Sequence, residues 1–138
     1  MATPNLVNVT SVTPFTINGA VTTSAVDVID VASDKCHKIN TIVIANIDGS
    51  SAADITIQIS TDNGSNYYSI ASTVSVPADS TLVVIDKNSQ LYLDETDLLR
   101  VQASANSDLT YTISGEILDD AEGVKIWLTL QNLITKTK

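Results

Sequence analysis

Cys36 and His37 are the adjacent pair whose side chains could do covalent chemistry. A cysteine–histidine dyad needs the two groups to converge, so that the imidazole takes the thiol proton. Neighbours on a β-strand point to opposite faces, and the residues that follow read as a strand, so His37 is expected at the start of a strand. It is the chain's one histidine. Serines and aspartates abound for a Ser-His-Asp triad, but nothing marks a nucleophile elbow. Carboxylates gather in turns: Asp48 and Asp54, Asp62, Asp94-Glu95 with Asp97, and Asp119-Asp120 with Glu122. Acidic loops can ligate calcium through six to eight oxygens. Asp62-Asn63-Gly64-Ser65-Asn66 lacks the helix-loop-helix spacing, however, and Asp and Asn favour turns for local hydrogen-bonding reasons. Tyr67 and Tyr68, just after that turn, are the best placed of the aromatics to stack on a sugar. With a single cysteine, an intrachain disulfide is impossible and a structural zinc site is not expected. No glycine-rich phosphate loop is present, and no cofactor is expected.

The bulk properties narrow the partners. The 138 residues carry a net charge of −9, with 43% hydrophobic and 17% charged residues. That balance describes a folded domain with a real core. Its negative field repels phosphate, so no nucleic-acid partner is expected. Lys35, Lys38, Lys87, Arg100 and Lys125 are scattered and form no basic patch. The first residues have neither the basic nor the continuous apolar region of a secretory signal, and no apolar run approaches a membrane span. No membrane partner is expected, and the two glycosylation sequons, at Asn8 and Asn63, carry no weight.

The elements that would position these residues are strands. Ile55, Ile57 and Ile59 alternate with Asp54, Thr56, Gln58 and Ser60, the period of a strand with one wet face. Leu99, Val101, Ala103 and Ala105 alternate with polar residues, as do Leu109, Tyr111, Ile113 and Ile117. Residues 25–32 read as a strand with Val26 and Val28 on one side. Residues 38–47 are apolar at both parities, which predicts a central strand covered on both faces. Asn63-Gly64 predicts a type I′ turn. Many short strands at regular spacing predict an all-β, antiparallel β-sandwich of jelly-roll or immunoglobulin-like character.

The two ends differ from this grammar. Residues 1–26 carry no charged side chain. They suit either a first strand of the sheet or an extended arm that pairs with a neighbouring subunit, because charges normally blunt exposed edges. The tail fits a helix, with Ile126, Leu130, Leu133 and Ile134 on one stripe. It fits a strand equally, with Val124, Ile126, Leu128 and Leu130 on one face. The expected division is an N-terminal arm over 1–19, a β-sandwich over 20–118 and a C-terminal extension over 119–138. The expected contact residues are Leu6, Val7, Val9, Phe15 and Ile17 in the arm, and Ile126, Trp127, Leu130 and Leu133 in the tail.

Three phrases carry a resemblance: Ala45-Asn46-Ile47-Asp48, residues 73–86 (TVSVPADSTLVVID) and residues 91–105 (LYLDETDLLRVQASA). Over roughly residues 20–118 the chain resembles the small β-sandwich virion proteins of tailed bacteriophages, particularly of marine phages and cyanophages. The resemblance implies a non-enzymatic structural protein of the virion and carries over no catalytic residue. It implies a capsid decoration or cement protein that clamps the major capsid protein, or another virion protein, as a homo-oligomer such as a trimer. A neck, baseplate or tail-fibre component is the first alternative. A carbohydrate-binding module for host attachment, using Tyr67 or Tyr68, is the second.

Overall fold

The computed structural model describes residues 5–119. These form nine strands: β1 (Ser11–Ala20), β2 (Val26–Asp30), β3 (Lys35–Asn46), β4 (Ala53–Ser60), β5 (Tyr68–Val76), β6 (Thr81–Ile85), β7 (Leu91–Leu93), β8 (Leu98–Ala103) and β9 (Leu109–Asp119). One sheet has the order β1-β9-β3-β6, with β7 also on β3; the other has the order β2-β8-β4-β5. All pairings are antiparallel.

The pairings nest. β4 pairs with β5, β3 with β6, β2 with β8 and β1 with β9. This is one long hairpin rolled up so that β9 also meets β3 and β8 also meets β4. That connectivity is a jelly roll, the first of the two sandwich types expected. The connection at the hairpin's tip contains Asn63-Gly64, with φ of 57° and 82°. Both central residues thus have the positive φ of a type I′ turn, closed by the Ser65 N–H to the Asp62 carbonyl at 3.3 Å.

The core lies between the sheets. Ile39, Ile42 and Ile44 of β3 and Ile113 of β9 face Ile55 and Ile57 of β4 and Leu99 of β8, all fully buried. Each such side chain contributes about 1.5–3 kcal/mol. The alternation in β4, β8 and β9 reads directly onto this face.

β3 departs from expectation in an informative way. It is central, with β9 on one side and β6 and β7 on the other. Its apolar residues at both parities, however, do not mean two covered faces. A register shift between Ile39 and Thr41 inserts an extra residue against β9. The bulge turns Ile42 and Ile44 to the same side as Ile39, while Val43 and Ala45 stay half-exposed on the other. β2 is similar: a shift between Asp27 and Ile29 turns Ile29 and then Val31 into the core, and leaves Val26 exposed.

β1 pairs with β9 through ten residue pairs, from Ser11↔Asp119 to Ala20↔Thr110. The expected arm, residues 1–19, therefore overlaps an edge strand of the sandwich, because Phe15 and Ile17 pack onto the core. The tail residues after Asp119, with both of their expected conformations, lie outside the described residues.

Candidate interaction surface

The residues that suggested chemistry are chemically quiet. Cys36 is buried, and burial, followed by the charges of Asp94 and Asp97, pushes its thiol up to about 11. A thiol held that high supplies almost no thiolate near neutral pH. Burial, then the nearby Lys35 charge, lowers the His37 pKa, which favours the neutral imidazole. The His37 ring leans on Phe15 at 5.2 Å between centroids, and its buried Nδ1 has no hydrogen-bond partner among the described residues.

The acidic turns are occupied by local work. The Asp62 carboxylate accepts the Asn66 side-chain amide (2.7 Å), the Asn66 backbone N–H (2.8 Å) and the Ser60 hydroxyl (2.7 Å). These bonds, the Asn66 side chain first, hold its carboxyl below the usual range. Among the described residues no three His, Cys, Asp or Glu side chains converge as a metal-ligand set.

Tyr67 and Tyr68 differ. The Arg100 guanidinium sits 3.5 Å from the Tyr67 ring centroid, and both residues bond Asp27: Tyr67 through its hydroxyl at 3.0 Å, Arg100 through Nε at 2.9 Å. The cation covers that face of the ring. Tyr68 is 67% exposed on the edge strand β5. A shallow cleft of about 210 Å³ lies on the outside of the same sheet, lined by Asp54, Thr56, Thr73, Gln102, Ala103 and Ser104. It is smaller than a typical small-molecule pocket, and the Thr73 and Asp54 N–H groups are already bonded to Thr56 Oγ1 and Ser104 Oγ.

Two phrases of the resemblance, residues 45–48 and 73–86, meet at one end of the sandwich. Asn46, 4% exposed, donates through Nδ2 to the carbonyls of Ser51 and Val76, both at 2.9 Å, and accepts the Asp48 N–H at 2.9 Å. Around it the Asn46 N–H reaches Ser80 O, the Asp79 N–H reaches Asp48 O and the Ile47 N–H reaches Asp108 O. Three loops are thereby laced together, and the side chain at their centre is Asn46.

The other surface of note is the free edge of β1. Val21 N–H bonds Leu109 O at 2.8 Å, in register with Ala20↔Thr110. Backbone direction alternates along a strand. Phe15, Ile17 and Gly19 therefore bond toward β9, and Val12, Pro14, Thr16, Asn18 and Ala20 turn their backbones outward. Pro14, which has no N–H to offer, sits at an outward position, where a strand tolerates it. Nothing pairs with this edge among the described residues, and no residue of it is charged. Of the expected contact residues, Leu6 and Val7 are exposed, Val7 at 91%, while Val9, Phe15 and Ile17 are half-buried. Ile126, Trp127, Leu130 and Leu133 lie outside the described residues. The sequence offered an uncharged edge suited to pairing; which backbone groups of β1 turn outward is revealed only by the register.

No family model and no curated protein matches the chain. Among solved structures it is similar to a pentameric capsid protein isolated from metagenomic phage sequences, with a TM-score of 0.42 and 16% identity over 83% of this chain. The chain spans 65% of that protein's length. It is also similar to a Bacillus endospore appendage protein of disulfide-linked pili (TM-score 0.39, 9% identity, 80% of this chain and 87% of that one). A third is the VP2 subviral particle of infectious bursal disease virus (TM-score 0.36, 15% identity, 83% of this chain and 34% of that one). All three TM-scores lie below 0.5, so the functional reading rests on this chain's own residues.

Proposed function

We propose that this chain is a non-enzymatic structural protein of a phage virion, and most specifically a capsid decoration or cement protein that bridges neighbouring capsid subunits. The observation that carries the reading is the uncharged free edge of β1, together with exposed Leu6 and Val7, on a chain of net charge −9. Charge keeps many copies soluble and apart; an uncharged edge with outward amides is where another subunit can add. The resemblance of residues 45–48, 73–86 and 91–105 to phage virion proteins supports the same reading.

The mechanism is geometric. Each copy attaches through a small apolar and backbone contact, and self-association multiplies weak contacts into avidity. The tail residues Ile126, Trp127, Leu130 and Leu133 are proposed to share in attachment, and the trimer is proposed as one form of the assembly. The experiment is to locate the chain in an electron-microscopy map of the particle. Hundreds of copies on the shell support decoration; roughly a few to tens on the tail axis support a neck, baseplate or fibre part.

One observation favours a second reading, host-glycan binding: the exposure of Tyr68. Binding on a glycan array that disappears in Tyr68→Ala would support it. Tyr67 is the poorer platform, since Arg100 covers one face.

A further inference from the structure

We propose that the partner of the β1 edge is the β1 edge of a second copy, paired antiparallel about a twofold axis at Ile17, so that two five-stranded sheets become one continuous sheet. This rests on the reading of the chain as a self-associating subunit and names the contact.

Three features select a second copy. The first is charge. A chain at net −9 is repelled by its own copies, and residues 11–20 form a long edge without charge. Of the other edges, β2 carries Asp27 and Asp30; β5 and β6 are also uncharged, but β5 is broken by register shifts, with Thr73 at φ 48°, and β6 is only 5 residues long. Two copies meeting at β1 keep their charges apart.

The second is backbone geometry. The outward groups belong to Val12, Pro14, Thr16, Asn18 and Ala20. Pairing about Ile17 sets Thr16 opposite Asn18, and Asn18 opposite Thr16, as mutually bonded pairs. Pro14 falls opposite Ala20, where the Ala20 N–H still reaches the Pro14 carbonyl and one donor is missing. Pairing about Thr16 would set Pro14 against Asn18, nearer the middle of the contact.

The third is the inner face. Phe15 and Ile17 pack on the core yet remain half-buried, because no strand lies beyond them among the described residues. In the proposed register Ile17 meets Ile17 as a non-bonded pair, the closer kind. Phe15 falls opposite Gly19, which has no side chain and lies under the Tyr111 ring: a Cβ there would come within 3.0 Å of the Tyr111 hydroxyl. Each half-buried residue gains a neighbour without displacing one. Such a contact is isologous and closes at two copies; a trimer would need a different surface.

The test uses the full chain. Sedimentation at high micromolar concentration is expected to show a dimer. Thr16→Lys with Asn18→Lys places lysines opposite each other on exposed positions, and is expected to give a folded monomer whose melting temperature, unlike the parent's, does not rise with protein concentration. Ile17→Cys is expected to form a disulfide-linked dimer on oxidation, while Thr16→Cys and Asn18→Cys form it at less than one tenth of that yield. A monomeric full chain, including one whose own C-terminal segment covers the edge, overturns the proposal. A dimer that survives the double lysine change, or cross-linking that favours position 16 or 18, does so too. The virion reading fails separately. A dimer with no copies on the particle keeps this contact and removes that role; a monomer found on the shell does the reverse.

Discussion

The backbone N–H and the hydroxyl of Thr10 both donate to the carbonyl oxygen of Asp119, at 2.9 and 3.0 Å. This pair lies where the rolled hairpin closes, so the two ends of the described chain leave the sandwich at one corner. Lys35 joins them through a 3.0 Å ion pair to the Asp119 carboxylate. The two segments singled out by sequence as atypical are therefore neighbours in space at their roots.

Truncation separates attachment from folding at this corner. Removing residues 1–9 takes away exposed Leu6 and Val7 and leaves β1 intact, so the melting temperature is expected to stay within about 3 °C. Removing residues 1–18 deletes most of β1, with Phe15 and Ile17, and is expected to cost roughly 3–5 kcal/mol. Thermal unfolding of the two shortened chains checks this; equal melting temperatures would contradict the place of β1 in the fold.

Asn46 holds three loops at the opposite end of β3. Asn46→Ala leaves the buried Val76 carbonyl and the part-buried Ser51 carbonyl and Asp48 N–H without their partner. The expected loss is roughly 2–4 kcal/mol, read as a lower midpoint in urea with the slope unchanged. Asn46→Asp keeps the acceptor for Asp48 but not the amide donors, and should fall nearly as far. A loss below about 0.5 kcal/mol in the alanine variant would mean that the lacing is held by backbone bonds alone.

Gly115 faces the bulge in β3. A Cβ at this position would overlap the Lys38 carbonyl oxygen, a backbone atom that cannot step aside. Gly115→Ala is expected to cost about 3 kcal/mol by forcing β3 and β9 apart. Gly19→Ala meets only the tip of the Tyr111 side chain and should cost less than half as much. Comparing the two by chemical denaturation tests whether backbone approach, rather than glycine itself, is what the sheet requires.

That bulge also explains how far the sequence could be read. Alternation in β4, β8 and β9 is local, so Ile55, Ile57, Leu99, Val101, Leu109 and Ile113 fall on the core face as their spacing says. In β3 the inserted residue is accommodated by Gly115, 76 positions past Ile39 and on another strand. Nothing within 38–47 could separate two covered faces from one bulge. The same holds for β2, where Ile29 and Val31 enter the core, Val28 packs against it half-buried and Val26 is exposed. The contact residues were named for being apolar in a charge-free stretch. That logic could not tell Phe15, which packs on His37, from Val7, which faces solvent, because the difference is made by β9.

Asp97 and Asp27 should respond to acid in opposite directions. Asp97 is 7% exposed and accepts the Asp94 N–H at 2.8 Å. Burial raises its pKa, an effect that the bond from Asp94 opposes and the Asp94 charge reinforces. A raised carboxyl pKa means that the folded chain binds the proton more tightly than the unfolded chain. Its stabilising share is complete below the ordinary value of 3.8 and is lost as pH rises through the folded value. At pH 7 the ionised group is a burden, and Asn, whose carbonyl can still accept the Asp94 N–H, removes it. Asp97→Asn is therefore expected to melt higher than the parent at pH 7, with the gain gone near pH 3. Asp27 runs the other way. The Arg100 hydrogen bond, first among the causes, lowers its pKa. Its contribution is present above the ordinary value and disappears as pH falls through the folded one, so Asp27→Asn should melt lower at pH 7 and match the parent in acid. Melting curves of the three proteins between pH 3 and 7 test both signs together. A loss at pH 7 in Asp97→Asn would show that the carboxylate's charge, not only its acceptor oxygen, holds the 94–97 turn.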